Sequence, residues 1–183
     1  MGRLFSWLHA GAIGATMGNA GRDRDTPAGA KGDATRGDGL DPKERELAAL
    51  PVGIAVTHSP NPATARPGGG SGYAYTWTYA TSVRSLKGRL TVEEFGGSSW
   101  RDGRWVSSNF TGRPFTAGEF SDWYSCPGAV LEPAKSYVDP TNWSGNARLE
   151  VWRMKWYFVA RTEAGERVKG EAVIEVLPEV APE

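Results

Sequence analysis

The chain has 183 residues, with 21 Lys+Arg against 21 Asp+Glu, so it lacks the basic surplus that a nucleic-acid binder uses to neutralise phosphates. Its one Cys excludes an intrachain disulfide, and two His beside that Cys fall short of a zinc ligand set. Hydrophobic residues make up 39%, with 24 Gly, 12 Pro and 8 Trp, which describes an aromatic-rich folded part diluted by sequence that cannot build a core.

Residues 1–20 carry Arg3 as their only formal charge. The stretch LFSWLHAGAIGATMGNA admits four readings. Arg3, an apolar run and small residues near Ala20 fit a signal peptide. Gly2 and Ser6 fit the myristoylation pattern. Four Gly fit a flexible tail. Wound as a helix, the stretch is apolar all round, with Ser6, Ala10, Gly14 and Gly18 forming a small-residue stripe, as in an anchor buried in protein or lipid. The anchor reading is favoured and assigns partner or membrane contact to Leu4, Phe5, Trp7, Leu8, Ile13, Gly14 and Gly18. The run is too short to span a bilayer as one helix.

Residues 21–50 form the second segment. GRDRDTPAGAKGDATRGDGL buries too little apolar area to offset its ordering entropy. DPKERELAAL then predicts a short helix: Asp41 is the N-cap, Pro42 suits the first helical position, Glu44 sits where a capping-box acid would, and Pro51 closes it. So short a helix needs Leu47 and Leu50 to dock on something.

From Pro51 the period changes to two. Val52, Ile54 and Val56 alternate, as do Tyr73, Tyr75, Trp77 and Tyr79; Leu90 and Val92 predict a strand ending near Phe95. Asp102-Gly103 predicts a type I′ hairpin turn between Trp100 and Trp105. Phe115 to Trp123 and Ala129 to Leu131 are further strand candidates. Trp152, Met154, Trp156 and Phe158 then share one strand face, with Arg153 and Lys155 on the other. After the turn TEAGE, Val168, Ala172, Ile174 and Val176 alternate on a returning strand. The expected fold is mainly β: an antiparallel immunoglobulin-like sandwich over 51–178, a tail at 179–183, and an extended N-terminal arm with one or two short helices. YFVARTEAGERVKGEAVIEV resembles the terminal hairpin of immunoglobulin-like and fibronectin-like domains.

Candidate chemistry is sparse. His58 follows the first strand without a recognisable Ser or acid partner, and Glu93 and Glu94, adjacent on a strand, should point to opposite faces. His9 could ligate a tetrapyrrole metal, but Phe5 occupies the place where antenna helices often carry a small residue. Cys126 reads as a small buried residue, and Gly68-Gly69-Gly70 as a linker. Asn109 and Asn142 fit the glycosylation triplet. Tyr73, Tyr75, Trp77 and Tyr79 fill a core or form a sugar-stacking platform, core filling being favoured.

No nucleophile–base–orienter set is present, so the expectation is a non-enzyme without cofactor or metal. The apolar start, low-complexity arm and β region together resemble, in general plan, the membrane-extrinsic accessory subunits of bacterial photosynthetic reaction centre–light-harvesting complexes. That resemblance implies a structural subunit, peripheral at the membrane, whose partners are membrane-complex subunits, with lipid contact through residues 1–20. Met1 favours the cytoplasmic face. The alternatives are a secreted β-sandwich carbohydrate-binding module and a phage virion structural protein.

Overall fold

Alternation of large apolar and polar residues drives most of residues 40–68 and 72–181, those described by this computed structural model, into strands. Helix α1 is Pro42–Ala49, followed by β1 (Ile54–Ser59), β2 (Ala63–Pro67), β3 (Tyr75–Ser85), β4 (Leu90–Arg101) and β5 (Arg104–Ser107). After these come β6 (Phe115–Thr116), α2 (Ala117–Trp123), a 3₁₀ turn at Pro127–Ala129 and β7 (Val130–Leu131). The series closes with β8 (Ser136–Asn146), β9 (Trp152–Thr162) and β10 (Arg167–Val180). The mainly β class stands.

The pairing joins all ten strands in one mixed sheet. β1 and β2 together occupy a single position between β3 and β10. Both run antiparallel to β3, and β2 therefore runs parallel to β10. Prolines 60 and 62, which have no N–H to donate, interrupt the ladder between them. β1 also lies close over β10: a Cβ added at Gly170 would come within 2.6 Å of the Ile54 Cβ, so only glycine fits.

β9 is central, flanked by β10 and β4, and buried without interruption from Met154 to Ala160. Its Met154, Trp156 and Phe158 face a core shared with Trp77, Tyr79, Phe95, Ile174 and Val176. Phe115, Phe120 and Tyr124, from the connection between β5 and β8, cover that core. Lys155, Tyr157 and Val159 face the other way, under α1.

Several sequence expectations change here. Only Phe115–Thr116 of the expected strand is extended; the rest is α2. Thr116 caps that helix and Glu119 reciprocates, a capping box that outweighs the aromatic content. β4 continues past Phe95 to Arg101, because its second half pairs with both β9 and β5. β3 begins at Tyr75 and leaves Tyr73 exposed outside it. β8, read from no periodic pattern, pairs with β3 along its length. β10 runs to Val180, past the expected end of the β region at 178. The Asp102-Gly103 turn is as expected, with φ of 49° and 77°, the positive pair a type I′ turn requires.

Candidate functional site

The outer face of β4, β9 and β10 gathers the charged side chains that the core face excludes. A β-bulge between Val92 and Glu94 inserts Glu93 as an extra residue against β9. The expectation that Glu93 and Glu94 diverge therefore fails. Glu93 meets Arg161 at 2.7 Å and Arg167 at 2.9 Å, while Glu94 meets Lys43 of α1 at 2.6 Å. Both carboxylates end among cations, which is the opposite of a converging acid/base pair.

α1 sits on this face as a clamp. Asp41 caps it as expected, accepting from the Lys43 N–H at 2.9 Å, and accepts the Ser107 N–H of β5 at 3.3 Å. Glu44 does not complete a capping box. It is buried, accepts the Ser98 hydroxyl at 2.7 Å and pairs with the Lys155 ammonium of β9. Lys155 also meets Glu171 of β10 at 2.8 Å, and Glu171 meets Lys169 at 2.6 Å. Glu46 pairs with Lys43 and, at 3.0 Å, with Arg167. Apolar contact is confined to Leu47, 1% exposed against Tyr157 and Val159, with Leu50 at its margin.

The charge states follow from these pairings. The hydrogen bond from Lys43 is the largest influence lowering the Glu46 carboxyl below its ordinary value. Burial alone would raise Glu171, but hydrogen bonds from Lys155 and Lys169 outweigh it and lower its pKa. Burial would likewise lower Lys43, and its bonds to Glu46 and Glu94 hold it above the ordinary range.

Beyond the clamp the same face becomes aromatic. Trp100 and Trp105, cross-strand partners in the β4–β5 hairpin, pack edge to face at 5.1 Å. Arg153 lies 4.8 Å from the Trp100 ring centroid, and the Lys155 ammonium 5.2 Å from that of Trp105. Recesses of about 350 Å³ and about 260 Å³ flank the pair, the first walled by Trp100, Val151, Trp152, Arg153 and Glu175. The second is walled by Leu40, Asp41, Pro42, Arg104, Trp105 and Val106.

His58 has a partner that sequence reasoning missed. Its Nδ1 lies 3.0 Å from Thr81 Oγ1 and its Nε2 3.2 Å from the Ala172 carbonyl oxygen. A carbonyl only accepts, so Nε2 carries the proton and Nδ1 accepts from the Thr81 hydroxyl. That hydroxyl accepts in turn from Asn142 Nδ2 at 2.8 Å. A hydroxyl beside an imidazole could in principle be activated. Thr81 is wholly buried, however, so a reacting carbonyl would have to displace core side chains to reach it. The arrangement ties β1, β3, β8 and β10 together.

Burial lowers the His58 pKa, against a smaller opposing effect of the Ala172 carbonyl. The folded state thus prefers the neutral ring, and its contribution to stability is complete above the unfolded value near 6.5 and declines as pH falls below it. Urea midpoints of the wild type should drop across that window, and His58→Gln should flatten the decline. Parallel profiles for the two proteins would mean that His58 is not the group responsible.

The remaining expectations divide clearly. Trp77 and Tyr79 are buried, so this strand face fills the core and offers no platform. Cys126 is buried as expected, and Asn142 is buried with its amide engaged. Leu4, Phe5, Trp7, Leu8, Ile13, Gly14 and Gly18, together with His9, lie outside the described residues. No helix among the described residues is long and apolar enough to cross a membrane. Comparisons with protein-family models, curated proteins and solved structures find no match to this chain.

Proposed function

We propose that the chain is a non-catalytic structural subunit, peripheral at the membrane, that docks on a larger membrane protein complex. In its most specific form that complex is a photosynthetic reaction centre–light-harvesting assembly. The observation that carries this reading is the α1 clamp. Residues 1–39 join the β region at Leu40, immediately before α1, so a load borne by those residues enters the sheet there. An eight-residue helix is marginal by itself. Held by Leu47 alone it would peel away. Held by Glu44, Glu46 and Lys43 to three strands, it couples whatever residues 1–39 bind to the central strand β9. That is the mechanical requirement of an assembly subunit.

Phe5, Trp7, Leu8 and Ile13 supply the apolar groups for such docking, each worth roughly 1.5–3 kcal/mol when fully buried. The wild-type chain should co-sediment with detergent-solubilised membrane complexes from the cells that make it, and a chain lacking residues 1–39 should not. Mass spectrometry of the sedimented assembly identifies the partner. Equal retention of the truncated chain would move the docking surface to the β region. Failure of the wild type to enter any complex would remove the proposal.

A further inference from the structure

We infer that the recess beside Trp100 is a binding subsite for one neutral sugar unit of an oligosaccharide. This goes beyond the assembly role and stands without it. It also concerns a different surface from β3, whose aromatic residues are spent on the core.

Three adjacent strands bring the necessary groups together. Arg153 of β9 and Glu175 of β10 are cross-strand partners, and Trp100 of β4 lies on the same face beside Arg153. With Val151 and Trp152 they line an open recess of about 350 Å³. Groups carried on strands are held more rigidly than groups on loops. The Arg153 guanidinium is further fixed by lying over the Trp100 ring, which is itself braced by Trp105. Less side-chain freedom is then lost on binding.

The composition of the recess selects the ligand. One guanidinium and one carboxylate cancel in charge. A phosphate or carboxylate ligand would face Glu175 at close range, and an ammonium ligand would face Arg153. A neutral ligand presenting donors and acceptors side by side satisfies both, and vicinal hydroxyls do so: Glu175 accepts from one while Arg153 donates to its neighbour. The part of the Trp100 indole left open beside Arg153 and Trp105, 36% of the residue being exposed, gives the recess an apolar wall. Few other neutral molecules combine an apolar face with a rim of hydroxyls.

The test uses the full-length protein on an array of neutral glucose, galactose, mannose and N-acetylglucosamine oligosaccharides, then titrates the strongest hit by tryptophan fluorescence. At least one neutral oligosaccharide should bind, with Kd raised at least about tenfold by Trp100→Ala and by Glu175→Gln. Trp143→Ala, which removes an exposed indole on β8, should leave Kd within about twofold of wild type. Should Trp100→Ala disturb folding by circular dichroism, Glu175→Gln decides alone. Absence of binding across the neutral set overturns the inference. So does retention of anionic glycans only, indifference to Glu175→Gln, or equal loss in Trp143→Ala.

Discussion

Trp156→Ala should destabilise the protein by about 3–5 kcal/mol, read as a fall in the urea midpoint at unchanged slope. Trp156 is 5% exposed and lies roughly parallel to Phe95 and Phe115, with ring centroids 6.4 Å and 6.3 Å away. Truncation leaves a cavity that β9 cannot collapse to fill, because the strand is hydrogen-bonded on both sides. A second cost is polar. The Trp156 indole N–H donates to the Tyr79 hydroxyl at 2.8 Å, and burial has already raised the Tyr79 pKa far above its ordinary value. Trp156→Phe keeps most of the volume and removes that hydrogen bond, so it should cost about 1–3 kcal/mol. A loss below about 1 kcal/mol for the alanine variant would contradict the placement of Trp156 in the core.

Lys155→Ala should cost a comparable amount, about 3–5 kcal/mol, for an electrostatic reason. Lys155 and Glu44 have side chains only 10% and 8% exposed, and Lys155 is the cation shared by Glu44 and Glu171. Removing it leaves Glu44 buried with only the Ser98 hydroxyl, while Glu171 keeps Lys169. The double variant Glu44→Gln/Lys155→Met should therefore recover most of the loss. Its amide still accepts from Ser98, and no buried charge is left uncompensated. A double-mutant cycle measures this directly as a non-additive term. Additive losses would mean that the two charges do not meet, and the clamp would then rest on Leu47 and the Lys43–Glu94 and Glu46–Arg167 pairs. Because the pair is buried, added salt should weaken it less than it weakens the exposed Arg89–Glu132 pair.

The two cases also separate what is local from what is not. Trp156 was legible because a period of two marks the strand, and so many large apolar residues on one face have to be buried. Lys155, one residue earlier, belongs to the opposite face by the same rule, and alternation gives it no partner. Its partner, Glu44, is 111 residues away in sequence. By its position in a short helix Glu44 resembles a capping-box acid, yet the tertiary ion pair takes it. The α2 helix was missed although Thr116 and Glu119 carry its capping signature, since Phe115 and Trp123 suggested a strand. β8 was missed because Pro140 and polar residues interrupt its pattern, which an edge strand tolerates. The bulge at Glu93 shifts parity within β4, and nothing local announces it.

The sequence by itself determined the mainly β class, the α1 helix with its Asp41 cap, the Asp102-Gly103 turn, and the core faces of β3, β9 and β10. Periodicity, caps and turn chemistry act over a few neighbouring residues and can be read there. Only the tertiary structure decided that β2 runs parallel to β10, that Glu93 and Glu94 share one face, and that Trp100, Arg153 and Glu175 line a recess. Each of these depends on which strands become neighbours. That choice is made by burial of the whole core at once, so no short stretch of the chain encodes it.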